Sequence, residues 1–218
     1  LLRPSVMVTV PRIFERIQAG MQNKLDKGPA YARRLFALAI DVGYHRFEHA
    51  QGRAAWHPKL LLWPVLKALV ADKLTARLGG KLRLAVAGGA ALSATNARTF
   101  IGLGIPIIQG YGLSETSPVI SVNRLDDNLP SSVGKPLANV EVRLGKYDAL
   151  EVRGPNVMLG YWNNAPATQE MFTEDGWLNT GDVVRIDEQE RLTITGRIKE
   201  IIVLSNGEKM PPGDLEAV

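Results

Sequence analysis

The sequence predicts an α/β fold in which a parallel-type α/β subdomain with a helical insertion is followed by a small antiparallel β subdomain. Three features of the 218 residues carry that reading. A strand-helix-strand unit opens at residue 82, and helical periodicity fills the stretch between Gly28-Pro29 and Gly79-Gly80. After about Asn128 the pattern changes to short strands broken by turns.

Residues 5–10 are a β-type run, and Pro11 stands where a first helical turn tolerates it, with Ile13, Phe14 and Ile17 following at helical spacing. In the insertion Leu35, Leu38, Ala39 and Val42 share one face, Gly52 breaks the pattern, and a second helix starts after His57-Pro58. Residues 82–87 form the next strand and Gly88-Gly89-Ala90 a small-residue turn; Ser93 caps a helix that runs to about Leu103, and Ile105 opens another strand. Strand-helix-strand units build parallel sheets that bind ligands beyond the carboxyl ends of the strands, where residues 88–90 and 109–116 both fall. Further strands are predicted at 140–144, 150–152, 183–186, 192–195 and 201–204. A hairpin signal follows at Ser205-Asn206-Gly207-Glu208, then Pro211-Pro212 and a helix starting near Asp214.

Apolar residues make up 45% and charged residues 22%, as in an ordinary soluble globular protein. No apolar stretch approaches the roughly 18 residues that span a bilayer. The opening Leu1-Leu2-Arg3-Pro4-Ser5 has neither an initiator Met nor the order of a signal peptide, so the chain is expected to be a fragment. The absence of cysteine excludes disulfides, thiolate metal sites and a Cys nucleophile, and it fits a reducing, cytoplasmic compartment. A net charge of +4 hides a division: residues 1–105 carry 16 Lys/Arg against 5 Asp/Glu, and 106–218 carry 10 against 17. The basic half suits polyphosphates, CoA, nucleic acid or an anionic membrane surface. The plainer reading is solvated helix faces, and no basic run is dense enough for a nucleic-acid arm.

Gln109-Gly110-Tyr111-Gly112-Leu113-Ser114-Glu115-Thr116 is expected to pack a glycine-flanked aromatic, two hydroxyls and a carboxylate into one turn. The glycines let a flat ligand approach the backbone, Tyr111 offers a ring face, Ser114 can donate to an oxygen anion, and Glu115 is a hard ligand for magnesium. Two readings stand: a nucleotide-and-metal turn, or a strand-to-loop junction whose polar residues satisfy one another. His45-Arg46-Phe47-Glu48-His49 matches the H-x-x-E-H zinc spelling, but no third ligand is evident and a polar helix face is favoured. There is no Walker loop and no G-x-S-x-G elbow, and Glu115 occupies the third glycine position of a dinucleotide fingerprint. Downstream, Gly176-Trp177-Leu178-Asn179-Thr180-Gly181-Asp182 sets a carboxylate after a tight glycine, as a ribose acceptor or a turn acid. Gly196-Arg197-Ile198-Lys199-Glu200 presents a guanidinium that in isolation reads as a surface ion pair.

Taken in order, the glycine turn after a strand, GYGLSET, GWLNTGD and GRIKEIIVLSNGEK resemble the adenylate-forming superfamily of acyl-CoA synthetases, peptide-synthetase adenylation domains and firefly luciferase, over nearly the whole chain. The insertion and residues 82–92 and 201–209 are most similar to the long-chain fatty acyl-CoA synthetases. The resemblance implies part of the large domain of such an enzyme, with 1–127 as the α/β subdomain carrying its insertion at about 28–79, 128–196 as the β-rich subdomain, and 197–218 as a hinge and the start of a small domain. It implies a ligase that uses ATP to form an acyl adenylate and then an acyl-CoA thioester, with fatty acid, ATP/AMP, Mg2+ and CoA as its small-molecule ligands. No nucleic acid is implied; peripheral membrane association is admitted, and oligomeric state is left open.

By the same resemblance Gly88, Gly89 and Ala90 line adenine, Tyr111 stacks on it, and the backbone of 110–113 borders the acyl group. Gln109, Gly110 and Gly112 are grouped with these nucleotide contacts. Ser114 contacts phosphate, Glu115 holds magnesium, Asp182 accepts from the ribose hydroxyls, Arg197 closes over the ribose, and Lys199 is the hinge. Ser114, Glu115 and Lys199 are the expected catalytic set. Ser114 stands where many relatives have Thr, and Ala91 where Pro is frequent. The family's phosphate loop and its catalytic lysine fall outside this sequence, so the fragment alone is expected not to turn over. Two alternatives remain: an adenylating enzyme for another acid that transfers to a carrier protein, and a non-catalytic nucleotide or acyl-binding module.

Overall fold

A computed structural model describes residues 3–200, 202–203 and 209–210. The chain divides into two units, Leu1–Gln109 with Arg124–Pro130 and Gly110–Asn123 with Ser131–Val218.

In the first unit β1 (Val6–Thr9), β2 (Leu84–Ala87) and the start of β3 (Ile107–Tyr111) pair in parallel, with Val8 beside Val86 and Val86 beside Ile108. Their β-branched residues suit a pleated surface. Between β1 and β2 run α1 (Pro11–Asp26), α2 (Ala30–Ala50) and the rest of the insertion. Pro11 takes the first helical position of α1, where a missing N–H costs nothing. The fully buried Phe14 meets Phe100 of α5 (Ala94–Gly102) edge-to-face at 5.0 Å. As expected, Ser93 caps α5, its hydroxyl accepting from the Asn96 N–H at 3.2 Å.

Two expectations are corrected in the insertion. The buried face of α2 is Ala39, Val42 and Gly43, while Leu38 is exposed. Gly43 rests so close to α5 that a Cβ there would run into the Gly102 carbonyl, so this contact sets which side of α2 turns inward. After His57-Pro58 there is not one regular helix but a 3₁₀ turn (Pro58–Leu62), α3 (Trp63–Leu66), a π turn (Lys67–Ala71) and α4 (Asp72–Arg77). Pro58 and Pro64 have no N–H to give a preceding turn, so each restarts the helical ladder.

The H-x-x-E-H histidines lie on α2, where ring nitrogens of His45 and His49 bond the carbonyls of Ala55 and Ala54. Glu48 accepts two hydrogen bonds from Arg53, which holds its carboxyl below the usual value, so the segment fastens the end of α2 to the following loop.

Residues 109–111 do not form a turn: they continue β3, and the expectation of a single turn over 109–116 is corrected. Gly110 and Tyr111 belong to the second unit and pair antiparallel with Val122 and Ser121 of β4 (Ser121–Val122), so extended backbone is demanded up to Tyr111. Only Ser114–Thr116 turns, as a 3₁₀ element closed by the Leu113 N–H donating to the Thr116 hydroxyl at 3.0 Å. β4 pairs in turn with β5 (Lys135–Pro136).

The rest of the second unit is an antiparallel meander of β6 (Glu141–Leu144), β7 (Ala149–Arg153), β8 (Leu178–Ile186) and β9 (Leu192–Arg197). Its core is Tyr111, Ile120, Leu150, Val152, Val184 and Leu192. β8 starts at Leu178 rather than Val183: Gly181 adopts φ +72° inside the irregularity in the β7–β8 pairing, between Asn179 opposite Glu151 and Val183 opposite Ala149, and the strand continues through it. A short helix the sequence reading missed, α6 (Ala165–Met171), is capped by Asn164. Beyond β9, β10 (Ile202–Val203) pairs antiparallel with β11 (Lys209–Met210). The hairpin at 205–208 and the helix near Asp214 lie outside the described residues. Among the described residues no helix is long and apolar enough to cross a membrane.

Candidate functional site

The second unit builds its polar centre on the inward face of β8. Leu178, Thr180, Asp182 and Val184 alternate inward, which sets a carboxylate in a row of core residues. Only 5% of the Asp182 side chain is exposed. A charge so buried needs partners. The Tyr111 hydroxyl donates to its Oδ2 at 2.5 Å, and the Arg197 Nε donates to its Oδ1 at 2.6 Å from the position directly across the β8–β9 ladder. The Asp182 N–H is in turn taken by the Thr180 hydroxyl.

Tyr111 is itself 9% exposed, and burial first, then the bond to Asp182, raises its phenol well above the ordinary value. It is therefore a fixed donor. The Arg197 side chain is 52% exposed, with one edge of its guanidinium on the buried carboxylate.

A second cluster surrounds the 3₁₀ turn. Glu115 accepts at Oε1 from the Tyr161 hydroxyl at 2.7 Å, and its main-chain carbonyl accepts from the Met158 N–H at 2.8 Å. Asn156 adds two bonds, donating from Nδ2 to the carbonyls of Thr116 and Val119. Ser114 is exposed. Near the start of β8, Trp177 lies under the guanidinium groups of Arg143 and Arg153, at 4.4 and 4.5 Å from its ring centre. Arg143 also binds the buried Glu151 across the β6–β7 ladder and clamps Asp175 through two hydrogen bonds. That clamp, with the Thr173 hydroxyl, holds the Asp175 carboxyl well below the usual range.

Of the residues singled out by sequence, Tyr111, Asp182 and Arg197 come together, and Ser114 and Glu115 share the adjoining turn. Gly112 abuts the Pro118 carbonyl, leaving no room for a Cβ, whereas a Cβ on Gly110 would meet nothing closer than 3.5 Å. Lys199 is exposed on the short 3₁₀ turn after β9.

Gly88, Gly89, Ala90 and Gln109 belong to the first unit. The three small residues follow β2, with Gly89 at φ +79°. The Gln109 amide is taken at both ends, accepting from the Leu92 N–H at 3.0 Å and donating to the Pro130 carbonyl at 2.6 Å. Sequence reading missed Tyr161, Asn156 and the Arg143–Glu151 pair. The signal for Tyr161 was its neighbour Gly160, the glycine–tyrosine pairing that drew attention at 110–111.

Residues 2–162 match the AMP-binding enzyme family, and the chain belongs to it. It is 42% identical over 220 residues to the long-chain-fatty-acid–CoA ligase FadD15 of Mycobacterium bovis, covering 99% of this chain and 36% of that protein. Fatty acyl-CoA synthetase B of Dictyostelium discoideum is 33% identical over 233 residues, covering 100% of this chain and 33% of its own length. Among solved structures, ATP-bound MatB from Rhodopseudomonas palustris superposes with a TM-score of 0.60 at 30% identity, over 71% of this chain and 33% of that one. The chain thus spans about a third of the length of these relatives, and its mixed α/β architecture is that of the adenylate-forming enzymes.

Proposed function

We propose that this chain is the nucleotide-holding segment of an ATP-dependent long-chain fatty acid–CoA ligase. The ligase joins a fatty acid carboxylate to AMP with release of pyrophosphate, and the CoA thiol then displaces AMP. The observation that carries the reading is the buried Asp182 carboxylate, bracketed by Tyr111 and Arg197, in a chain 42% identical to a protein named as a ligase of this kind.

Each Asp182 oxygen keeps lone-pair capacity beyond its present bond, so the pair can accept from two vicinal ribose hydroxyls. Arg197, on the other side of that carboxylate, closes over the sugar. Tyr111 lends ring surface to adenine and holds Asp182 in place, while Gly88, Gly89 and Ala90 line the base and Gln109 braces the loops. The Ser114 hydroxyl donates to phosphate. The backbone from Gly110 through Leu113 borders the acyl group, whose carboxylate has to be aligned with the α-phosphorus.

Magnesium fits the donor set at Glu115. That carboxylate has one oxygen on Tyr161 and a second to offer, and magnesium characteristically takes one or two carboxylates and completes its shell with phosphate and water. Among the described residues no cluster of three His, Cys, Asp or Glu forms an all-protein cage. Bound there, the ion supplies charge neutralisation of the phosphates. Lys199 serves as the hinge, with 197–218 opening a small domain after the 1–127 and 128–196 subdomains. A cytoplasmic enzyme peripherally associated with membrane completes the reading.

The test is ATP-dependent AMP release by the full-length ligase containing this segment, with fatty acids and CoA. Release is expected, and none at any chain length would remove the reading; release with a purified carrier protein but not with CoA would reassign the acceptor. In the same protein Asp182→Ala is expected to weaken binding of an acyl-adenylate analogue by about 1–3 kcal/mol, the scale of a lost buried polar partner. Unchanged affinity in a titration would take Asp182 out of the ribose role.

A further inference from the structure

The insertion carries an exposed ladder at every fourth residue from the 3₁₀ turn to α4: Leu61, Val65 and Leu69, then Lys73 and Arg77, all on the surface. Leu61 is 72% exposed and Val65 60%. Leu69, Lys73 and Arg77 also line a groove of about 410 Å3 between α1, α2 and α4, floored by Leu35, Phe36 and Leu74. Lys24 stands at its rim, and no lining residue is acidic.

Lys24, Lys73 and Arg77 have no carboxylate partner among the described residues, whereas Lys67 nearby is paired with Asp72. We propose that this face of the insertion is the surface by which the protein docks on an anionic lipid bilayer. The apolar ladder enters the boundary between headgroups and acyl chains, and the three cations meet lipid phosphates.

The chemistry favours lipid over a protein partner. The ladder offers apolar side chains without hydrogen-bonding groups, flanked by long flexible cations, which a fluid anionic surface satisfies without fixed geometry. Tyr31, exposed beside the groove, adds the amphipathic aromatic typical of a membrane interface. The inference gives a surface to the membrane association proposed above and rests on that part of the reading alone.

Flotation of the full chain with lipid vesicles, without ATP, tests it. Binding is expected to phosphatidylcholine vesicles containing phosphatidylglycerol and not to phosphatidylcholine alone, and it should weaken as salt is raised. Leu61→Ser/Val65→Ser/Leu69→Ser and Lys24→Glu/Lys73→Glu/Arg77→Glu, all at exposed or rim positions, are each expected to lower vesicle affinity about tenfold or more with an unchanged circular dichroism spectrum. Failure to float, equal binding of the variants, or light scattering that shows the ladder holding a second copy of the chain would overturn it. None of these outcomes touches AMP release, so the adenylating reading stands or falls separately.

Discussion

Asp182 concentrates the physics of this protein in one side chain. A carboxylate on the inward face of β8 survives because a phenol and a guanidinium are both within 2.6 Å of it. Removing either partner leaves a buried charge short of a donor, so Tyr111→Phe is expected to destabilise the fold by about 1–3 kcal/mol in denaturant melts. The same bond predicts an alkaline signature. Folding disfavours ionised Tyr111, whose phenol is raised above its ordinary 10.0 by burial and by Asp182. Its contribution to stability is therefore complete below about pH 10 and is lost as pH rises toward the folded value. In a tyrosinate absorbance titration Tyr111→Phe should leave the amplitude near pH 10 intact and remove only a late phenol. Tyr161 does a parallel job on Glu115 at the surface, and Tyr161→Phe is expected to raise the magnesium concentration at half-saturation in the full-length ligase more than it lowers the rate at saturating metal.

At the scale of elements, glycines of the same spelling have different physical reasons. Gly112 is glycine because the Pro118 carbonyl occupies the place of a Cβ; Gly110 has only ordinary contacts at 3.5 Å and beyond. Gly112→Ala is thus expected to cost about 1–3 kcal/mol of stability, the cost of overpacking. Gly110→Ala should leave the denaturation midpoint nearly unchanged and, if the backbone there borders ligand as proposed, act on nucleotide or acyl affinity instead. Equal loss of stability in both would refute the distinction. The α2–α5 crossing obeys the first rule: a Cβ at Gly43 would meet the Gly102 carbonyl and, at 2.5 Å, the Trp63 ring. Gly43→Ala is expected to lower the melting midpoint and disturb Trp63 emission.

For the molecule as a whole, charge and chemistry are divided along the chain. The cationic excess lies in the first 105 residues with the insertion, while the Asp182 and Glu115 carboxylates lie in the acidic remainder. Because the chain spans 36% of the length of its Mycobacterium bovis relative, catalysis is a property to assay in the full-length ligase. The chain by itself is expected to release no AMP above background under conditions where the full-length ligase does. Turnover by the isolated chain would show that these residues suffice for the chemistry.

Local patterns determined what depends on neighbours in sequence. Pro11 and Ser93 set the starts of α1 and α5, period-two runs marked β1, β2 and most of β6 to β9, and the order of the glycine motifs pointed to the adenylate-forming family before any geometry was known. Tertiary structure alone decided what depends on distant partners. It extended β3 through Tyr111, because β4 pairs with it, and turned Leu38 outward, because Gly43 had to meet Gly102. It ran β8 back to Leu178 through a positive-φ glycine, which is why Asp182 faces inward. The bonds of Asp182 to Tyr111 and Arg197, and of Glu115 to Tyr161, join residues far apart in the chain or across a ladder. No periodicity in a sequence reports which acceptor a hydroxyl will find once folding has brought its strand beside another.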